Sequence, residues 1–347
     1  MDDRVVVPRC NVPLQPYLTM AAKQRQASRG PVLLGDFSAT HFACPCCPEA
    51  LKRLNPDLKG PTDDLPPRPQ VVVMLREPVL RAHSRFMEQI QLGRLGRVMR
   101  GQPHGLEVGF NLSLGFVGYV DWMLPRLEAC MREAQAEAEA EAQAEAEAEA
   151  QAGAEAGPRE GGLGDYLRMQ CLMWDHVIGF SVYDLFLENY WRVFPESQVL
   201  VSYMETLARD PLAVLRAVEA HVGAPHHTYD ASVARTVYNA AGCGWRCANA
   251  TTTANSSGSD DSGGGSDGGG RGGGSLRALS LRLSGAGGRG RGGGKWTAEA
   301  DRGNVTAMEG ALERLRGFFA PSMRRLIAWA DQGRIPQVPE SWRELYS

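Results

Sequence analysis

Residues 71–89, VVVMLREPVLRAHSRFMEQ, constrain the fold more than any other stretch of the chain. Val71 to Leu75 form an apolar run without polar alternation, the pattern of a strand buried on both faces inside a parallel sheet. The run stops at Arg76-Glu77-Pro78, and an amphipathic helical pattern follows over residues 79–92, with Pro78 at its first turn, where proline is favoured. A strand that delivers an arginine to its own carboxyl end, just ahead of a helix start, has two readings. The charges are a solvated turn, or they are an anion site. In the second reading the unpaired amides and dipole of the helix start, the Arg76 guanidinium and the Ser84 hydroxyl, two turns further on, together suit phosphate or sulfate.

The rest of the chain repeats the strand-then-helix rhythm. PVLLGDF (31–37) reads as a strand ending in Asp36, CPEALKRLNP (47–56) as a short helix stopped by Pro56, and QVLVSY (198–203) as a second buried strand. Residues 163–194 carry one long helical pattern, residues 211–222 another, and LERLRGFFAPSMRRLIAWA gives one or two terminal helices. Such alternation predicts an α/β fold with a mostly parallel sheet flanked by helices. Ligands of open parallel sheets bind beyond the carboxyl ends of the strands, so Asp36 and Arg76 are expected to face one crevice.

Two low-complexity inserts interrupt what reads as a single domain over residues 1–347. Residues 133–162 alternate Ala with Glu and Gln, all good helix formers, and predict a charged helical extension that frays. Residues 248–294 hold much of the chain's 40 glycines and read as a flexible loop. Neither is expected to carry chemistry. The net charge of -3 gives no general pull toward nucleic acid or anionic membranes, so any attraction for anions is local. No run reaches the roughly 20 apolar residues of a membrane-spanning helix.

The segment VVVMLREPVLRAHSRF resembles the 3′-phosphate-binding signature of sulfotransferases that use 3′-phosphoadenosine 5′-phosphosulfate. Leu75-Arg76-Glu77-Pro78 and Arg81-Ala82-His83-Ser84 match it, with Glu77 and His83 as departures. The resemblance implies a P-loop NTPase-like sulfotransferase fold, with Arg76 and Ser84 holding the 3′-phosphate of the co-substrate and no metal required. LGDFSATHF (34–42) is similar to the segment of glycan sulfotransferases that carries the catalytic glutamate, which assigns Asp36 as the base; the lysine that usually follows is Phe37 here. GFSVYDLFLENYWRVFP (179–195), VLVSYMETLARDP (199–211), VYNAAGCGWRC and LRGFFAPSMRRLIAWA resemble later family elements in the family's order, over about two thirds of the chain. The implied activity is in-line transfer of a sulfuryl group to a hydroxyl or amino group of a glycan of the heparan-sulfate type. The 5′-phosphosulfate loop of the family has no counterpart in residues 1–35, which reads as a truncation or as a catalytically degenerate binding protein on the same fold. A nucleotide kinase fits less well, for want of a glycine-rich lysine loop.

Asn111, Asn249, Asn255 and Asn304 begin glycosylation sequons, which points to the secretory pathway. The family resemblance places the chain in the Golgi lumen or membrane, with an anchor expected upstream; as a complete chain it would be cytoplasmic. Of the eight cysteines, Cys243 and Cys247 are expected to pair as a disulfide in a lumenal protein and to stay free thiols in the cytosol. Zinc held by Cys44, Cys46 and Cys47 with that pair is the alternative, although the spacing fits no usual knuckle. His226-His227 reads as a surface turn and His41 as a packing residue.

Overall fold

The computed structural model describes residues 42–54, 70–94, 115–152, 163–230 and 305–347, with isolated positions nearer the N-terminus. Among these, β1 (Val71–Leu75) and β2 (Val199–Tyr203) pair in parallel, in a register running from Val71 opposite Val199 to Leu75 opposite Tyr203. Val73, Leu75, Val199, Val201 and Tyr203 are buried. Val72 and Met74 are 39% and 37% exposed, so the expectation of a strand covered on both faces is corrected. Successive side chains of a strand face opposite sides. Only the face carrying Val73 and Leu75 is covered, and an apolar run cannot announce that in advance. The described residues are mostly helical around this small parallel pair, a pattern compatible with α/β.

The helices are α1 (Cys47–Leu54), α2 (Pro78–Arg94), α3 (Gly115–Ala152), α4 (Leu163–Met173), α5 (Tyr183–Val193), α6 (Met204–Arg209), α7 (Pro211–Val222), α8 (Val305–Asp331) and α9 (Glu340–Tyr346). Asp210 caps α7 by accepting from the Ala213 amide at 3.0 Å, with Pro211 at the helix start and Gly223 closing it at φ 69°. α8 supplies the longest buried stripe: Leu312, Leu315, Phe319, Met323 and Leu326 are fully buried, at the three- and four-residue spacing of one helix face. It packs on α2, α3, α5 and α9 and so ties the two halves of the sequence together.

Helices α3 and α4 form an antiparallel hairpin stapled by a Cys130–Cys171 disulfide. The Ala/Glu segment is a continuation of α3, and its beginning is packed. Ala134 is 6% exposed, and a Cβ at Gly164 would come within 2.8 Å of the Ala138 Cβ, so α4 lies directly on this part of the segment. Residues 139–144 are exposed.

The long helix expected over residues 163–194 is two helices with a break between them. Asp175, 1% exposed, makes that break. Its carboxylate accepts from the Val177 and Ile178 amides at 2.9 Å each and from the Tyr119 hydroxyl at 2.5 Å. These bonds satisfy amides that a continuous helix would have paired differently. Gly179 then turns against α4 so closely that a Cβ would sit 2.0 Å from the Leu172 carbonyl oxygen. A short 3-10 turn, Gly179–Ser181, leads into α5.

Candidate anion-binding site at the end of the first strand

The carboxyl end of β1 is held from three directions. The Tyr183 hydroxyl, at the first turn of α5, donates to the Arg76 carbonyl at 2.7 Å. The Glu77 amide donates to the Glu205 carboxylate at 3.3 Å, and Trp342 Nε1 of α9 donates to the same Glu205 oxygen at 3.1 Å. Glu77 is 3% exposed and accepts from the Tyr346 hydroxyl at 2.5 Å. The backbone at Arg76 is therefore fixed by helices drawn from three distant parts of the sequence.

Glu77 also corrects the expected chemistry of the helix start. Its carboxylate accepts from the Leu80 amide at 2.6 Å and from the Val79 amide, and Pro78 has no N–H to offer. The first-turn donors of α2 are thus occupied by the chain's own acid, which acts as a cap. Burial pushes the Glu77 carboxyl up, while Tyr346, the two amides and the Arg316 charge pull it back. An incoming anion meets side chains here, with those amides already taken.

Arg76 is half-buried, and among the described residues its guanidinium has no hydrogen bond or ion pair. Ser84 is exposed and its hydroxyl is likewise unpartnered among them. His83, between them in sequence with its side chain toward the body, packs edge-on to Phe116 with ring centroids 4.9 Å apart. Burial, and secondarily the Arg76 cation, lower its pKa to about 4, so the imidazole is neutral at ordinary pH and behaves as an aromatic spacer.

Arg81 behaves in the opposite way. It donates to the His176 carbonyl at 3.3 Å from both Nη atoms, to the Val177 carbonyl at 3.2 Å and to Ser181 Oγ at 3.1 Å, and stacks over Phe180 at 5.7 Å. Burial lowers its pKa, with Tyr183 and Asp175 drawing it back. It fastens the break between α4 and α5 to α2.

Two groups at this junction escaped the sequence reading. Glu205 opens α6 at the carboxyl end of β2, and its position in METLARDP was the available signal. Arg316, 6% exposed on α8, adds positive charge toward Glu77 while its Nε and Nη2 have no partner among the described residues. Its place within an amphipathic helix gave no warning.

Asp36, His41, Cys243, Cys247, Asn111, Asn249, Asn255 and Asn304 lie outside the described residues. The segment that carries Asp36 ends at Phe42, which is described. Phe42 packs on Tyr183, Phe186 and Tyr190 of α5, with ring centroids 6.4, 5.7 and 6.0 Å away. His227 packs edge-on to Tyr229, and with His226 it is exposed, as a surface turn requires. Cys44 and Cys47 are bridged to each other, which removes both from the zinc set considered above. Among the described residues no group of three or more His, Cys, Asp or Glu side chains could hold a metal ion. No described helix is long and apolar enough to cross a membrane.

No family model matches the chain, and no curated protein matches it. Among solved structures, a similar one is the crystal structure of a sulfotransferase from Alicyclobacillus acidocaldarius, at 18% sequence identity. That match covers 93% of this chain and 73% of the other, with a TM-score of 0.36. A likeness this loose carries no argument about chemistry, which rests on the residues.

Proposed function

We propose that the chain is a sulfotransferase that binds 3′-phosphoadenosine 5′-phosphosulfate and transfers its sulfuryl group to a hydroxyl or amino group of a glycan, in the lumen of the Golgi. The observation that carries the reading is Arg76: a guanidinium without a partner among the described residues, on a backbone pinned at the end of a parallel strand. A fixed cation with open donors is a site for an anion, and Arg76 and Ser84 stand where the resembled signature places its 3′-phosphate ligands.

The reaction is an in-line displacement. The acceptor oxygen or nitrogen bonds to sulfur, the bond from sulfur to the 5′-phosphate oxygen breaks, and adenosine 3′,5′-bisphosphate leaves. Such transfers depend on positioning and charge stabilisation more than on a strong nucleophile. Asp36 takes the acceptor proton.

Radiolabelled sulfate transfer to a panel of glycosaminoglycans tests the whole reading. Transfer should occur with the natural chain and disappear with Asp36→Asn, while the variant keeps its affinity for adenosine 3′,5′-bisphosphate. Transfer that survives Asp36→Asn removes Asp36 as the base. A chain that binds the bisphosphate and transfers nothing to any acceptor is a binding protein.

A further inference from the structure

The geometry points to a thiol–disulfide exchange site in the turn Cys44-Pro45-Cys46-Cys47, independent of the anion site and of the activity proposed for it. Three cysteines share four positions. Cys44 and Cys47 are bridged, Cys46 is also disulfide-bonded, and Cys46 Sγ lies 3.7 Å from Cys44 Sγ, in van der Waals contact. All three are half-buried, so small thiols have access. Once one of two bridges whose sulfurs touch is opened to a thiolate, that thiolate is placed to attack the other.

The direction of that step follows from the helix. Cys47 is the first residue of α1, and its amide bonds back to the Cys44 carbonyl at 3.2 Å. A thiolate at the first turn of a helix is stabilised by the helix dipole, and a stabilised thiolate is the better leaving group. A small thiol such as glutathione opens the Cys46 bridge, forming a mixed disulfide with the former partner and leaving Cys46 as a thiolate. The Cys46 sulfur then attacks Cys44 Sγ. The Cys44–Cys47 bond breaks, a Cys44–Cys46 bond forms, and the electron pair departs on Cys47. The first step consumes the external thiol; the second is an isomerisation with no net oxidation or reduction.

The rest of the turn is held still for this. Asn189 Nδ2 of α5 donates to the Pro45 carbonyl at 2.8 Å, and Phe42 is packed into the α5 aromatic cluster. The backbone is anchored on both sides while the sulfurs change partners.

The experiment uses the full chain in native buffer at pH 8 with graded glutathione. Samples are quenched in acid, alkylated, digested, and the labelled cysteine located by fragment mass spectrometry. The expected first product has Cys47 alkylated and a Cys44–Cys46 bridge, and its yield rises with pH as the thiolate forms. In Cys46→Ser the Cys44–Cys47 bridge should open at least tenfold more slowly at the same glutathione concentration. Cys46 alkylated beside an intact Cys44–Cys47 bridge overturns the proposal, as does no reaction at the turn in the natural chain. Equal rates of Cys47 labelling in the natural and Cys46→Ser chains overturn it too, since the external thiol then acts directly. If Cys46→Ser does not fold, the mapping of the natural chain decides alone.

Discussion

Arg76 and Arg81 stand five residues apart in one strand-turn-helix unit, and the structure treats them in opposite ways. Arg81 is half-buried like Arg76, and spends donors on two carbonyls and a hydroxyl at the break between α4 and α5. Arg76 is half-buried, with its backbone pinned and its guanidinium unoccupied among the described residues. The resemblance matches both arginines and gives a ligand role to Arg76 alone. The partners separate them: a cation bonded to several groups of the fold is part of the scaffold, and a held cation with none among the described residues is available to a ligand.

That contrast has measurable edges. The largest effect belongs to Arg81→Met, which strands buried acceptors at the break and should cost about 3–4 kcal/mol of unfolding free energy. Denaturant titration showing a loss under about 1 kcal/mol would end the scaffold assignment. Arg76→Ala should leave stability within about 0.5 kcal/mol of the natural chain. Its affinity for adenosine 3′,5′-bisphosphate should fall by about 2 kcal/mol, roughly thirtyfold, in calorimetry. A stability loss with unchanged affinity reverses the comparison.

His83 provides the next test, because it lies between the two arginines and feels Arg76. Its folded pKa is held at about 4. The unfolded chain takes up that proton from about pH 6.5 downward. The unfolded state therefore binds more protons between those values, and the contribution is whole above pH 6.5 and lost as pH falls toward 4. Comparing the natural chain with His83→Phe should isolate about 1.5 kcal/mol of acid sensitivity, discounted for partial exposure. In an Arg76→Ala background the His83 pKa, followed by NMR, should move upward; no movement would place Arg76 away from the imidazole. The smallest effect is Ser84→Ala, about 1 kcal/mol in bisphosphate affinity with no change in melting temperature.

Much of the fold was legible because it rests on local signals. Pro78, Asp210-Pro211 and Gly223 mark helix ends by rules that hold at short range, and β1, β2, α1, α2 and α7 fall where those marks and the apolar runs put them. The break at residues 174–181 was not legible, because its cause is distant: Asp175 ends the helix with Tyr119 as partner, 56 residues away. The signal that existed was Gly179 inside an apolar stretch, since a glycine there marks a close approach. The one-sided burial of β1 and the pairing of Cys130 with Cys171 are likewise facts of packing that composition cannot express. At the end of β1, the turn from strand to helix around Arg76 and Pro78 was legible from the sequence, whereas the inward turn of Glu77 onto the helix amides was not. Whether an acid after an arginine faces solvent or caps the next helix depends on what waits beneath it, here Tyr346 from the other end of the chain.

The Cys130–Cys171 staple has a consequence for inheritance. It closes a loop of 41 residues of sequence separation, a constraint worth about 4 kcal/mol against the unfolded chain. The Ala/Glu repeat lies inside that loop, and it leaves the packed body after the turn that carries Ala138. Doubling a loop changes its closure by only about 0.6 kcal/mol. Repetitive coding sequence is prone to slip during copying, and gains or losses of Ala-Glu units beyond Ala138 shift stability by a few tenths of a kcal/mol at most. The hairpin serves as an expansion joint: the gene can lengthen or shorten there while the strand end bearing Arg76 stays where it is.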